Sequence, residues 1–176
     1  MFTTTNTLNA QCHPQARPTA LLACGDNFMP LSWHMPVSKE PFRYAVAMRA
    51  ENKTYDLLHE KKEFSLNFLD YAFTEVHDIA GSMHGGDKFS ATGLTPMQAQ
   101  QINATMIEES YMIYECRVVE IVSFGDHDIF IADVLCIHNK DATNVSPTLF
   151  LGKGYYETTS QNPTRVDRSL HKPKEV

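Results

Sequence analysis

The sequence predicts a mainly β domain, an antiparallel barrel with a few short helices. Three observations carry this expectation. Short apolar runs recur between Gly, Pro, Asn and Asp, one longer segment alternates apolar and polar residues with period two, and only two stretches show helical spacing. Many short strands with few helices favour closure, because a closed barrel leaves no exposed edge. The chain of 176 residues is one domain by length. At that size folding buries about two-thirds of the unfolded surface, so the core needs no staples.

The elements follow in order. Residues 1–17 are polar and rich in Thr, Asn and Gln, and read as an N-terminal arm. Ala20–Cys24 and residues 28–33, 44–48 and 64–68 are apolar runs that read as strands. Residues 54–62 read as a helix, with Thr54 as N-cap, Asp56 in the first turn and lysines at the end. Residues 74–84 place Val76, Ile79, Ala80 and Met83 on one stripe, and Gly85-Gly86 ends the helix. Residues 112–122 alternate. Met112, Tyr114, Cys116, Val118 and Val122 share one face, Glu120 interrupts it, and Glu115 and Arg117 take the other. Gly125-Asp126-His127-Asp128 reads as a turn. Residues 129–137 are apolar on both faces, as in a barrel wall covered by a helix or a second subunit. Residues 161–176 hold Arg165, Arg168, Lys172 and Lys174 and read as a C-terminal extension. The expected division is thus 1–17 arm, 18–160 domain and 161–176 extension.

Composition excludes several classes. Acidic residues outnumber basic ones 21 to 15, for a net charge of −6, against the basic excess of a nucleic-acid binder. No window supplies the ~18 apolar residues of a membrane helix. The first charged residue is Arg17, so no basic n-region marks a secretory signal. Leu21-Leu22-Ala23-Cys24 mimics a lipoprotein cleavage box, but the apolar stretch is short and Pro18 lies upstream, so it reads as a buried strand. The expectation is a cytoplasmic protein without membrane or nucleic-acid partners. Cys12, Cys24, Cys116 and Cys136 form no C-x-x-C pair, so free thiols are expected. The signatures of serine hydrolases, P-loops, zinc proteases and dinucleotide folds are missing. His77 and His84 lie two helical turns apart near Asp78 and Asp87, and read as solvent-facing polar residues. No metal site is expected.

The segment from Asp26 to Ser38 holds the only tryptophan, sets polar side chains between large apolar ones, and suits a planar, heteroatom-rich ligand or a core strand with a turn. Its run Gly25-Asp26-Asn27-x-Met29-x-x-Ser32-Trp33-His34-Met35-Pro36-Val37-Ser38 resembles the flavin reductase-like family of the flavoredoxin type. Further blocks agree in order. They are Ala45-Val46-Ala47-Met48-Arg49 before Thr54-Tyr55-Asp56-Leu57-Leu58, then Phe64-Ser65-Leu66-Asn67, then Asp87-Lys88-Phe89-Ser90-Ala91-Thr92-Gly93-Leu94-Thr95-Pro96. Glu115-Cys116-Arg117-Val118-Val119, Gly125-Asp126-His127 and the strand from Leu149 to Tyr155 follow. The resemblance runs from Pro18 to Tyr156. Two departures stand out. His84-Gly85-Gly86-Asp87-Lys88-Phe89 is shorter than the family's S-G-R-D-V-D-K-F and lacks its arginine, and Lys153 replaces a glycine of the family's L-G-G-G ending.

The resemblance implies an FMN-binding split β-barrel, Greek-key and antiparallel, acting as a homodimer. It implies an oxidoreductase that moves hydride from NAD(P)H to flavin N5 and electrons onward to an acceptor. An FMN electron carrier reduced by a protein partner and a flavin-free binding module are the alternatives. The expected FMN-binding residues are Asn27, Met29, Leu31, Ser32, Trp33, His34, Arg49, Lys53, Thr54, Asn67 and Lys88. No catalytic residue of the chain is expected, since the cofactor carries the chemistry. The residue types suit these roles. Arg49 is able to clasp a phosphate bidentately, and the helix start at Thr54 offers free N–H groups and a positive dipole end. Lys53 and Lys88 add cations. The backbone of residues 31–34 is expected to donate toward the flavin ring, with Trp33 walling it or filling the core.

Overall fold

A computed structural model describes residues 15–140 and 144–159. The expected arm over its first fourteen residues and the extension at 161–176 lie outside the described residues, as do Cys12 and His13. The described residues form twelve strands: β1 Arg17–Pro18, β2 Ala20–Cys24, β3 Asn27–Leu31, β4 His34–Lys39, β5 Phe42–Met48, β6 Glu63–Phe68, β7 Pro96–Gln98, β8 Thr105–Ile107, β9 Met112–Phe124, β10 His127–Asn139, β11 Leu149–Gly152 and β12 Tyr155–Glu157. The helices are α1 Lys53–Lys61, α2 Thr74–Ser82 and α3 Lys88–Thr92, with a 3-10 turn at Tyr71–Phe73.

Seven strands form one antiparallel sheet in the order β3-β2-β6-β9-β10-β5-β4. Its two edges, β3 and β4, are joined by only Ser32 and Trp33. Two residues span little more than ~10 Å of chain. The sheet must therefore curl until its edges are neighbours, without their being paired. This is a split barrel, as the resemblance implied, rather than a fully closed one. β1-β11-β12 and β7-β8 are small accessory sheets.

The barrel interior holds Leu22, Tyr44, Val46, Met48, Phe64, Leu66, Cys116, Phe130 and Ala132, and Leu58 of α1 plugs one end. Tyr55 and His59 of α1 hydrogen-bond Asp128 at 2.6 and 3.2 Å, which fixes that plug to β10. A second core of Leu21, Ala23, Phe28, Val76, Ala80 and Leu94 lies between the outer side of β2–β3 and α2–α3. Strand β2 is therefore buried on both faces, which is why its sequence is uninterruptedly apolar.

The long hairpin β9–β10 differs from simple alternation at two bulges. Val119 is an extra residue in β9, because Glu120 pairs with Ile131 while Val118 pairs with Ala132. Beyond it Ile121, not Val122, continues into the core. Leu135 is the extra residue in β10, where Val134 pairs with Cys116 and Cys136 with Glu115. No described helix covers the outer face of β10, and Leu135 is exposed there. Glu115, expected on a polar face, is 0% exposed, because the backbone at Gln100 and Gln101 folds over its carboxylate. Among the described residues no helix is long and apolar enough to cross a membrane.

Candidate functional site

Four elements converge on a groove of about 250 Å³. β3 contributes Asn27, Met29 and Pro30. The start of α1 contributes Asn52, Lys53 and Thr54, the end of α2 Ala80, Gly81, Met83 and His84, and the start of α3 Lys88.

The sequence builds this place locally. Asn52 occupies the N-cap position in an extended conformation, but its amide binds the Arg49 carbonyl at 3.2 Å and does not cap the helix. The N–H groups of the first turn are left without a side-chain cap, and this end of the nine-residue helix presents its positive dipole to the groove. Thr54 is not the N-cap expected of it. It is the second residue of the helix, fully buried, where its hydroxyl accepts a 2.7 Å hydrogen bond from Asn27 Nδ2. That bond ties β3 to α1. Gly81 permits the approach of α2, since a Cβ there would lie 3.1 Å from Pro30 Cγ.

Lys88 is buried, and its Nζ donates to the Phe28 carbonyl at 2.7 Å and the Ala80 carbonyl at 2.9 Å. Two of its three donors are thus spent on holding β3, α2 and α3 together. Burial first, and the neighbouring Lys53 charge second, push its pKa down. Two ammonium groups near each other, an uncapped helix start and no carboxylate in the lining make an anion site. This donor set fits a phosphate monoester.

A second cluster lies at the split between the barrel edges. Trp33 is 40% exposed and stacks on His127, with centroids 4.5 Å apart and planes at 20°. His127 Nδ1 bonds Asp126 at 2.7 Å. His34 turns inward, with Nδ1 2.9 Å from the Tyr44 hydroxyl. Burial pushes its pKa down to about 4, opposed only in part by the Pro18 carbonyl, so the imidazole is neutral near pH 7. Leu31 packs in the barrel core and Ser32 is half-buried.

The expected residues therefore divide. Asn27, Met29, Lys53, Thr54 and Lys88 meet in the groove, and Ser32 and Trp33 lie at the split. Four lie elsewhere: Leu31 in the barrel core, His34 turned toward Tyr44, and Asn67 and Arg49. Asn67 is fully buried, with Nδ2 on the Leu21 carbonyl and Ser65 Oγ, while its Oδ1 accepts from Ile107 N–H. Its amide joins β2, β6 and β8, with both N–H donors engaged inside the barrel wall. Arg49 is outside the groove lining, its guanidinium 2.9 Å from Glu51 and 3.8 Å from Asp126. His77, expected to face solvent, is 1% exposed beside Tyr156, while His84 is exposed in the groove lining. Asn52, Pro30, Ala80, Gly81 and Met83 line the groove without having been anticipated. Only Gly81 carried a signal, as a glycine inside an otherwise amphipathic helix.

A split antiparallel barrel with a lysine-lined groove at a helix start is the class of fold these elements define. Residues 13–159 match the flavin reductase like domain, and the chain belongs to that family. It is 29% identical over 114 residues to an uncharacterized protein of Aeropyrum pernix, covering 62% of this chain and 43% of that protein. It thus spans less than half of that relative's length. It is 21% identical over 127 residues to the FMN reductase (NADH) RutF of Pseudomonas syringae, covering 72% of this chain and 69% of that one. Among solved structures, flavoredoxin of Desulfovibrio vulgaris superposes with a TM-score of 0.80 at 22% identity, covering 92% of this chain and 97% of that one. At that identity the likeness shows the fold.

Proposed function

We propose that the groove between β3, α1, α2 and α3 holds the phosphate end of FMN, and that the chain is an NAD(P)H-dependent flavoprotein reductase passing electrons to a further acceptor. The observation that carries this reading is Lys53 beside Lys88 at an uncapped helix start with no carboxylate in the lining. Family membership and the similarity to an FMN reductase (NADH) support it.

The cofactor, when bound, supplies hydride acceptance at N5 and onward electron transfer. The chain's own work is binding and orientation. Lys53 and the first-turn N–H groups of α1 neutralise the phosphate. Lys88 and the Asn27–Thr54 bond keep the groove walls at fixed spacing. At the split, Ser32 and the backbone of residues 31–34 supply polar contacts at the ring edge, where preorganised donors favour negative charge. The Trp33–His127 stack walls that place from solvent. No acid or base of the chain is required.

The outer face of the barrel carries Trp33, Met35, Val37 and Leu135 exposed, and a second copy of the chain covers it. The missing arginine in the 84–89 segment removes an anchor for a nucleotide tail, so KM for NAD(P)H is high while kcat is spared. The test is anaerobic mixing of FMN-loaded protein with excess NADH or NADPH, following the flavin absorption band. Bleaching by either nucleotide supports the reductase. Bleaching by dithionite alone makes the protein an electron carrier fed by a partner, and no spectral change on adding FMN to the protein sinks flavin binding altogether.

A further inference from the structure

We propose that β9 and β10 carry a three-ligand site for a divalent transition ion, best suited to Zn²⁺, built from Glu115, Cys136 and His138. One ligand atom from each residue lies within 4.8 Å of the other two. The site lies on β9 and β10, apart from the groove residues, and does not rest on the flavin reading.

Its origin is the bulge in β10. Were the ladder regular past Val134, Leu135 would pair with Glu115, and Cys136 and His138 would turn toward the barrel interior. With it, Cys136 pairs directly with Glu115, and His138, two residues on, shares their face. An irregularity in an otherwise regular hairpin thus gathers a carboxylate, a thiol and an imidazole.

The geometry around Glu115 is that of a held ligand. Its carboxylate is fully buried and accepts the N–H groups of Gln100 and Gln101 at 2.6–3.1 Å. Ligating carboxylates are commonly oriented by such outer donors. His138 Nε2 stands 2.5 Å from Glu115 Oε1, so one proton bridges them. An ion replaces that proton when the two atoms part to roughly 3.3 Å, the separation of two ~2.0 Å bonds at a tetrahedral angle. Cys136 and His138 are half-buried and reachable from solvent. Cys24 and Cys116 differ, because both are fully buried and closed to solvent.

Thiolate, imidazole and carboxylate together select a borderline ion such as Zn²⁺ over Mg²⁺ or Ca²⁺, which prefer oxygen. On binding, the Cys136 thiol and the His138–Glu115 bridge release their protons to solvent. Three protein ligands leave a fourth position for water or a small ligand.

The test uses Co²⁺ as a coloured probe on the full chain, read as a difference spectrum against the same sample before addition. One equivalent should give a thiolate-to-cobalt charge-transfer band that Zn²⁺ abolishes. Cys136→Ser should remove the band, and His138→Gln should weaken Co²⁺ binding more than ~100-fold, beyond the loss typical of an outer partner. Cys12→Ser should leave the band intact, and far-UV circular dichroism verifies the fold of each variant. No band at millimolar Co²⁺, or a band that survives Cys136→Ser, overturns the site and leaves Glu115–His138 a plain buried pair.

Discussion

At the anion groove the decisive cation is Lys53. Lys88 is already committed to two backbone carbonyls and Arg49 to Glu51 and Asp126, whereas Lys53 is exposed and no ion pair engages it among the described residues. A charge-assisted hydrogen bond contributes roughly 1.5–3 kcal/mol, so Lys53→Ala should weaken FMN about tenfold to a hundredfold. Riboflavin lacks the phosphate and should lose little. Arg49→Ala should leave the ratio of FMN to riboflavin affinity unchanged. Fluorescence titration of both ligands with both variants checks this, and a phosphate-selective loss in Arg49→Ala would return the role to Arg49. The sequence made Arg49 attractive because it shows charge and order but not the pairing with Glu51 or the approach of Asp126 from the β9–β10 turn. Asn67 misled in the same way, since its partners Leu21 and Ile107 are 46 and 40 residues distant. The position of Lys53 at the start of α1 was legible locally, whereas the Asn27–Thr54 bond joins residues 27 apart in the chain.

At the scale of elements, most strands were readable from punctuation, while the long hairpin was not. Period two holds only within a regular ladder, and an extra residue inverts every side chain beyond it. Val119 and Leu135 are such residues, so neither the inward turn of Ile121 nor the gathering of Cys136 with Glu115 follows from alternation. The packing of α2 on β3 was equally hidden, except at Gly81. A Cβ there meets the stiff ring of Pro30 at 3.1 Å, so a larger side chain must move α2 or β3 and distort the groove between them. Gly81→Val has better helix propensity than glycine, which offsets the crowding in overall stability. FMN affinity should fall about tenfold, near 1.4 kcal/mol, while the thermal midpoint moves by only a few degrees. Calorimetric unfolding beside FMN titration separates the two effects. Unchanged affinity would mean that α2 does not shape the binding groove.

At the scale of the whole molecule, the question is what covers the outer face of the barrel. Val119, Phe124 and Leu135 on the long hairpin and Met35 and Val37 on the edge strand β4 are exposed. So many large apolar groups on one sheet exceed the scattered exposure normal for a monomer surface. The edge itself is a poor place for strand addition. Pro36 has no N–H to donate, and the register slips beside it at Val37. Association by face packing is therefore favoured over edge pairing, and a second copy of the same chain presents a matching apolar face under two-fold symmetry. A stable pair needs about 800 Å² from each partner. Light scattering of the purified chain at micromolar concentration should give twice the 19.9 kDa of one copy. The double variant Met35→Lys with Leu135→Lys places two desolvation-costly charges on each face and should shift the mass to that of one copy, with the circular dichroism spectrum retained. A wild-type mass of 19.9 kDa across that concentration range would leave the apolar face to a different partner.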